Sequence, residues 1–177
     1  MSRSVLLLRA VNVSGRNLVP MARLREVLTA SGAVEDVSTY IASGNVICAQ
    51  PSDPVAACAA VRALIAKEFG VDAPVIHRTN EQLAASLSAQ PFTNAVEKLL
   101  HVMFLEGAPA IDALEKLTAR LVPGEELAMI EHDLWINHSA GGVHSTKLTK
   151  SVLDKALGVA GTARNLRTTK KLAELTA

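Results

Sequence analysis

Aromatic residues are scarce in this chain. Three phenylalanines, one tryptophan and one tyrosine make up 3% of its 177 residues. A sheet that stacks nucleic-acid bases needs aromatic side chains on its strands, and neither half of the sequence has a strand rich in them. The composition therefore disfavours an RNA-recognition sheet.

Long apolar runs and cysteines are also lacking. No run approaches the roughly 18 residues that a membrane-spanning helix requires. The N-terminal run is interrupted at Arg9 and is too short for a signal peptide. We therefore expect a cytoplasmic protein without a membrane partner, in which Cys48 and Cys58 are buried thiols rather than a disulfide.

Charge is nearly balanced overall but uneven along the chain. The formal net charge is +1, which is too small to require a nucleic-acid or membrane partner. Residues 147–177, however, contain seven lysines or arginines and only two carboxylates. The C-terminal segment is therefore basic, on a body that is mildly acidic.

Apolar periodicity in the first half predicts six elements in the order βαββαβ. They are a strand at 5–11, a helix from Pro20 to Gly32, strands at 37–41 and 46–49 around the turn sequence SGN, a helix from Val55 to Gly70, and a strand at 73–77. This order is that of a ferredoxin-like lobe, which we assign to residues 1–79.

The second half repeats this order only in part. The predicted elements are a helix at 81–88, a strand at 99–105, a helix at 111–121, strands at 126–131 and 134–137 around a turn at His132 and Asp133, and a helix at 148–157. The sequence TARNLRTTKKLAEL then predicts another helix where a last strand is expected. We therefore expect an α+β fold of two ferredoxin-like lobes. The second, residues 80–177, is incomplete and ends in a basic helical tail.

Four segments of the chain together resemble one family. LLRAVNVSGRNLVPMARLREVL, TYIASGNVI, STKLT and LGVAGTARN are similar to the bacterial proteins classed as domain of unknown function 1697. The resemblance covers nearly the whole chain and implies a two-lobed α+β fold, but no particular activity. The family usually has glycine at the positions of Ala10 and Ser14, and tryptophan and asparagine at those of Leu166 and Arg167.

Polar residues follow the first strand and occupy the turn between the second and third. In a βαββαβ sheet these two places lie at the same end, so we expect the side chains to gather there. The set has two cations, many donors and no carboxylate, which suits recognition of an anion or an amide-like edge. Alternatively, the asparagines satisfy backbone groups in turns. The set is Arg9, Asn12, Ser14, Arg16, Asn17, Ser43 and Asn45.

A second polar set lies at two predicted helix starts. Cations in a first helical turn oppose the helix dipole, and a bound phosphate or carboxylate would remove that conflict. Alternatively, the cations are solvated. The set comprises Lys147 and Thr149 at one start, with Ser145, Thr146 and Lys150 beside them, and Arg164 and Asn165 at the other, with Thr162.

Metal and hydrolase chemistry have little support. His132, His138 and His144 recur at six-residue intervals, but no cysteine or carboxylate trio completes a metal shell. No GxSxG turn marks a serine nucleophile. We predict neither a metal nor a cofactor, and we expect Trp135 to pack in a core or an interface.

Three functions fit these observations. The first is a binding protein, with or without an enzymatic activity, that holds a phosphate- or carboxylate-bearing metabolite between the lobes. The second is a nucleic-acid-associated module, suggested by the ferredoxin-like lobes and the basic tail. The third is a structural or regulatory oligomer, such as a homodimer, because edge strands leave surfaces that a partner could cover.

Overall fold

The strands and helices alternate as the apolar periodicity predicts in most of the chain. A computed structural model describes residues 2–177. Its strands are β1 Arg3–Leu8, β2 Ser38–Tyr40, β3 Asn45–Ala49, β4 Val75–Thr79, β5 Leu100–Leu105, β6 Glu126–Ile130, β7 Asp133–Asn137 and β8 Gly161–Asn165. Its α-helices are α1 Met21–Ser31, α2 Pro54–Phe69, α3 Asn80–Ala89, α4 Ala113–Thr118, α5 Lys150–Leu157 and α6 Leu166–Thr176, with a short 3-10 helix at Gly142–His144.

The first sheet is antiparallel throughout and has the strand order β2-β3-β1-β4. Leu6 and Leu8 of β1 pack with residues of α1 and α2 in one core. Val5 and Leu7 point to the opposite face and are also fully buried. A continuous apolar strand is therefore explained by burial on both faces.

Glycine ends three of the helices. Gly32, Gly70 and Gly158 follow α1, α2 and α5 with φ of 65°, 66° and 71°. This left-handed conformation lets the backbone N–H of each glycine bond a carbonyl of the last turn. The helix ends predicted at Gly32 and Gly70 are thus confirmed, and Gly158 ends α5 in the same way.

The second sheet is also antiparallel and has the strand order β6-β7-β5-β8. The prediction that its last strand is missing was wrong, because residues 161–165 form β8. This segment has little apolar content of its own, but β5 supplies hydrogen-bond partners from His101 to Leu105. The last helix begins only at Leu166, so the basic tail contains a strand as well as helices.

The two sheets use the same connection at the same place. The N–H of Leu8 at the end of β1 donates to the carbonyl of Gly44, at 2.8 Å. The N–H of Leu105 at the end of β5 donates to the carbonyl of His132, at 3.0 Å. Each hairpin thus closes over the end of the central strand, and the βαββαβ order is present twice.

The chain divides into two compact units that differ from the predicted lobes. The first unit comprises residues 1–84 and 172–177, and the second comprises residues 85–171. The last six residues therefore belong with the N-terminal half rather than with the segment 80–177. The α+β class is confirmed, and no helix of the described residues is long and apolar enough to cross a membrane.

Candidate functional site

The polar segment after β1 is a miniature hairpin at residues 12–17. The N–H of Arg16 donates to the carbonyl of Val13, at 2.9 Å. Between them lie Ser14 and Gly15, with φ of 50° and 74°. Two left-handed central residues define the tight turn that suits a two-residue hairpin, so Ser14 and Gly15 form an exposed tip.

Asn12 fastens this hairpin to the rest of the first unit. Its Nδ2 donates to the carbonyls of Val19, at 2.9 Å, and of Ala42, at 2.8 Å. Its Oδ1 accepts the N–H of Val19, at 2.8 Å. The bond to Ala42 places the hairpin beside the β2–β3 turn, as the topology predicts. Because both the amide nitrogen and the amide oxygen of Asn12 already form hydrogen bonds within the protein, its role is structural.

The other two asparagines of this set also satisfy backbone groups. Asn17 Nδ2 donates to the carbonyl of Ala10, at 2.9 Å. Asn45 is fully buried, and its Nδ2 donates to the carbonyl of Tyr40, at 2.9 Å, and to Ser43 Oγ, at 3.1 Å. The alternative interpretation, that the asparagines hold turns, is therefore the one that the structure supports.

Gly44 allows the β2–β3 turn to cross close to β1. Its φ is +84°, and a Cβ there would lie 2.6 Å from Val11 Cγ2 and 2.7 Å from Leu8 Cβ. No L residue fits both constraints without moving its neighbours. The glycine thus fixes how near the turn lies to the miniature hairpin.

The exposed part of this sheet end is cationic and partly apolar. Arg16, Ser14 and Ser43 are exposed, and Arg9 is half-buried. The Arg16 side chain forms no hydrogen bond or ion pair within the described residues. Neither residues 1–25 nor residues 37–52 contain a carboxylate. We call this surface the hairpin surface; its apolar members are Val13, Leu18 and Ile41, which are 55%, 62% and 49% exposed.

The second predicted set is not one site. Thr149 caps α5, because its side chain accepts the N–H of Val152, at 3.4 Å. Lys147 is exposed just before that cap. Asn165 Oδ1 accepts the N–H of Thr168, at 2.8 Å, and so caps the start of α6. These threonine and asparagine side chains are helix caps.

Arg164 does not lie at a helix start, contrary to the prediction. It is on β8 opposite Val102, with its guanidinium buried and donating to Thr162 Oγ1 and to the carbonyl of Ala163, each at 2.8 Å. Burial lowers the pKa of Arg164 to about 10. The core formed with α5 lies on the Met103 face of the sheet, so Arg164 and the α5 start are on opposite faces.

A buried acid–histidine pair was missed by the sequence reasoning. Glu125 Oε1 lies 3.2 Å from His138 Nδ1, with side chains 0% and 6% exposed, respectively. The ring of His101 meets that of His138 edge to face, with centroids 5.1 Å apart. The two partners continue the β6–β7 ladder by one position beyond Glu126 and Asn137. A correct prediction of the β6–β7 register from the sequence would have placed Glu125 opposite His138.

The environment of this pair shifts two pKa values. Burial raises the pKa of Glu125, but hydrogen bonds from the Val122 N–H, Thr146 and His138 outweigh burial and hold the pKa below its ordinary value. Burial also lowers the pKa of His101, and the Leu99 carbonyl opposes this only in part. At neutral pH the carboxylate is thus ionised and His101 is uncharged.

The remaining predicted residues have structural positions or form no cluster. Within residues 2–177, no group of three or more histidines, cysteines and carboxylates could hold a metal ion. Trp135 is fully buried, as expected for core or interface packing. Cys48 is buried and Cys58 is partly buried, and both are free thiols.

Comparison with known proteins adds a family and a fold. The model of the family described as "Protein of unknown function (DUF1697)" matches residues 1–135. A solved structure of the "conserved bacterial protein SP0830 from Streptococcus pneumoniae" has a TM-score of 0.75 and 24% sequence identity, and the match covers 99% of each chain. No curated protein matches this sequence. At this level of identity, the solved structure supports the α+β fold alone.

Proposed function

We propose a function for this chain on the premise that it belongs to the family of proteins of unknown function DUF1697. The chain is a cytosolic binding protein whose hairpin surface holds a phosphate- or carboxylate-bearing metabolite. Arg16 is the principal anion ligand, with Arg9, Ser14 and Ser43 beside it. The asparagines of the original set act as scaffold and not as ligands.

The main support for this proposal is the position of Arg16. Arg16 is exposed at the end of a hairpin that Asn12 holds in place by hydrogen bonds, and neither residues 1–25 nor residues 37–52 contain a carboxylate. A guanidinium with no protein partner, carried on a backbone that is held in place, is well suited to a bidentate bond with a carboxylate or phosphate. Because the hairpin backbone is ordered before binding, little backbone conformational entropy would be lost when the anion binds.

The strand order also supports a finer assignment of the fold. We infer that each unit is a ferredoxin-like βαββαβ unit. Its support is the antiparallel order in which the central pair is formed by the first and third strands, in both units. Both faces of each sheet bear buried apolar residues, such as Val5 and Leu6, or Val102 and Met103. A sheet buried on both faces offers no open face for stacking bases, which weighs against a nucleic-acid module.

A thermal-shift experiment tests the anion proposal. The probes are inorganic phosphate, citrate and adenosine monophosphate, with a short single-stranded RNA as the alternative. A probe at a hundredfold excess over its dissociation constant should stabilise the native state by about 2.7 kcal/mol. The Arg16→Ala variant should bind the same probe about tenfold more weakly, since a charge-assisted bond is lost.

The matched control is Arg120→Ala. Arg120 is an exposed arginine in the second unit that also lacks a side-chain partner within the described residues. Its removal changes the net charge equally and should leave the shift intact. If both variants lose the same amount of thermal shift, the effect is due to net charge and not to Arg16. If no metabolite shifts the unfolding temperature, the proposal is rejected.

A second candidate function is self-association through the same surface. It is favoured by the exposed side chains of Val13, Leu18 and Ile41, which are costly to leave in water as a group. Sedimentation of the purified chain over about a hundredfold range of concentration distinguishes the two candidates, because self-association depends on protein concentration. A dimer that dissociates in the Leu18→Asp variant would support self-association through this surface. A monomer at all concentrations would reject self-association and leave anion binding as the remaining candidate.

A further inference from the structure

An open cavity lies beside His138 in the second unit. Its volume is about 520 Å³. Three segments line it: the one before β5, the one before β6, and the end of β7 with the residues that follow. Its polar lining comes from Asn94, Asn137, His138 and Ser139. Apolar atoms of Val96, Leu99 and Pro123 complete the wall. A concave site with a few polar groups on an apolar wall is the usual form of a small-molecule pocket.

A second cavity shares part of this wall. Its volume is about 320 Å³, and it is lined by Asn94, Ala95 and Asn137 in common with the first. Phe92 and Glu126 belong to the second cavity alone. A molecule longer than a single ring could therefore occupy both cavities, with Asn94 and Asn137 between its two parts.

His138 reaches the cavity with one ring nitrogen already committed. Glu125 lies beneath it, fully buried, and its Oε1 is 3.2 Å from His138 Nδ1. The other oxygen of this carboxylate accepts the N–H of Val122, at 3.1 Å. An ionised carboxylate at Nδ1 favours the tautomer that has its proton there, so Nε2 of the neutral ring is an acceptor.

The charge of the walls selects the class of ligand. No lysine or arginine lines either cavity within the described residues, and Glu126 and the buried Glu125 are carboxylates. An anion would gain no cation here and would face these negative charges. A neutral molecule with O–H or N–H donors would instead find acceptors at His138 and at the asparagine carbonyl groups.

We propose that this pair of cavities binds a neutral, hydroxyl- or amide-bearing molecule with an apolar or aromatic part, and that His138 accepts a hydrogen bond from it. Glu125 is a positioning residue, because it fixes the tautomer of His138 without touching the ligand. The site is separate from the hairpin surface and prefers a neutral molecule, whereas the hairpin surface is proposed to hold an anion.

Ring nitrogen chemical shifts of the histidines provide the test. The ¹⁵N-labelled protein is titrated with adenosine, ribose and adenosine monophosphate to about 10 mM, which detects affinities near 1 mM. Adenosine or ribose should move the His138 resonances in a saturable way and leave those of His144 in place. Adenosine monophosphate should bind more weakly than adenosine. The proposal is overturned if neither neutral probe moves His138.

Two further variants separate binding from folding. Asn94 is exposed and lines both cavities, so Asn94→Ala should fold normally and bind adenosine about tenfold more weakly. His144→Gln, an exposed control outside both linings, should bind as the unmodified protein does. If Asn94→Ala binds adenosine with unchanged affinity, adenosine does not bind in these two cavities.

The role of Glu125 has its own measurement. In Glu125→Gln without any probe, the ring nitrogens of His138 should report a larger share of the Nε2-protonated tautomer, and adenosine should bind more weakly in proportion. If the tautomer populations stay unchanged in a folded Glu125→Gln protein, Glu125 does not position His138.

Discussion

Four non-glycine residues in the segment from Ala10 to Asn17 have left-handed backbones. Their φ values are 55° at Ala10, 54° at Asn12, 50° at Ser14 and 50° at Asn17. Asparagine tolerates this conformation, and here both asparagine side chains bond nearby carbonyls. Ala10 and Ser14 have no such compensation, so the strain at these two residues is offset by the bonds that hold the hairpin.

We predict that Ser14→Gly stabilises the protein. Removing the Cβ relieves a left-handed penalty of about 1–2 kcal/mol, whereas the greater freedom of glycine in the unfolded chain costs about 0.4–1 kcal/mol. The unfolding free energy should rise by roughly 0.5–1 kcal/mol, as measured by urea denaturation.

The control for this change is Ser88→Gly. Ser88 is exposed on α3, where the backbone is helical, so glycine should destabilise the protein by about 0.5 kcal/mol. The opposite signs of the two substitutions identify backbone conformation as the cause. Losses of stability in both variants would contradict the left-handed geometry at Ser14.

At the scale of elements, the β6–β7 hairpin determines which side chains meet. The sequence predicted a turn at His132 and Asp133, but Asp133 already pairs with Ile130 in the ladder. Moving the turn toward Glu131 changes the register and brings Glu125 opposite His138. A displacement of this size is enough to hide a buried pair, because register determines every cross-strand neighbour.

β8 shows why other parts of the site could not be predicted. Its sequence GTARN has no apolar alternation, and its local pattern resembles a helix start. The strand exists because β5 offers a free edge and because Arg164 is buried with its own hydrogen bonds. Tertiary pairing of this kind overrides local propensity. The glycine-ended helices and the meeting of the two sheet-end segments were predictable, since local backbone rules and topology determine them.

We predict that stability falls as the pH is lowered from 7 to 5. The pKa of His101 in the folded state lies below its ordinary value of 6.5, chiefly because the ring is buried. At a pH below 6.5, His101 is therefore protonated to a greater extent in the unfolded chain than in the folded protein. The unfolding free energy should fall with decreasing pH, by at most about 1.4 kcal/mol per pH unit for one such group.

Urea denaturation at pH 7, 6 and 5 checks this dependence. His77 has a pKa lowered by burial too and adds to the same trend. His101→Gln should flatten the dependence, whereas His144→Gln should not. Between pH 5 and 3 the lowered pKa of Glu125 adds a further loss, since protonation there breaks its hydrogen bonds. Equal slopes for His101→Gln and the unmodified protein would show that His101 is not responsible.

At the scale of the whole molecule, the C-terminus returns to the first unit. The helix α6 begins at Leu166 in the second unit, and residues 172–177 belong to the first. Leu172 is fully buried. Asn80 Nδ2 donates to the carbonyl of Ala173, at 2.7 Å, and to Thr176 Oγ1, at 3.1 Å. The first unit is therefore completed by residues 172–177, which are distant in sequence from its other residues.

We predict that deleting residues 172–177 weakens the first unit. Burial of Leu172 contributes about 1.5–3 kcal/mol, and each lost hydrogen bond about 1 kcal/mol. Amide exchange in β1, β3 and β4 should become faster, because the free energy of opening that unit falls. Deleting only Ala177, which is exposed, should change no exchange rate. Unchanged protection of β1 after the six-residue deletion would mean that the first unit is stable without the C-terminus, and that its contacts with residues 172–177 contribute little.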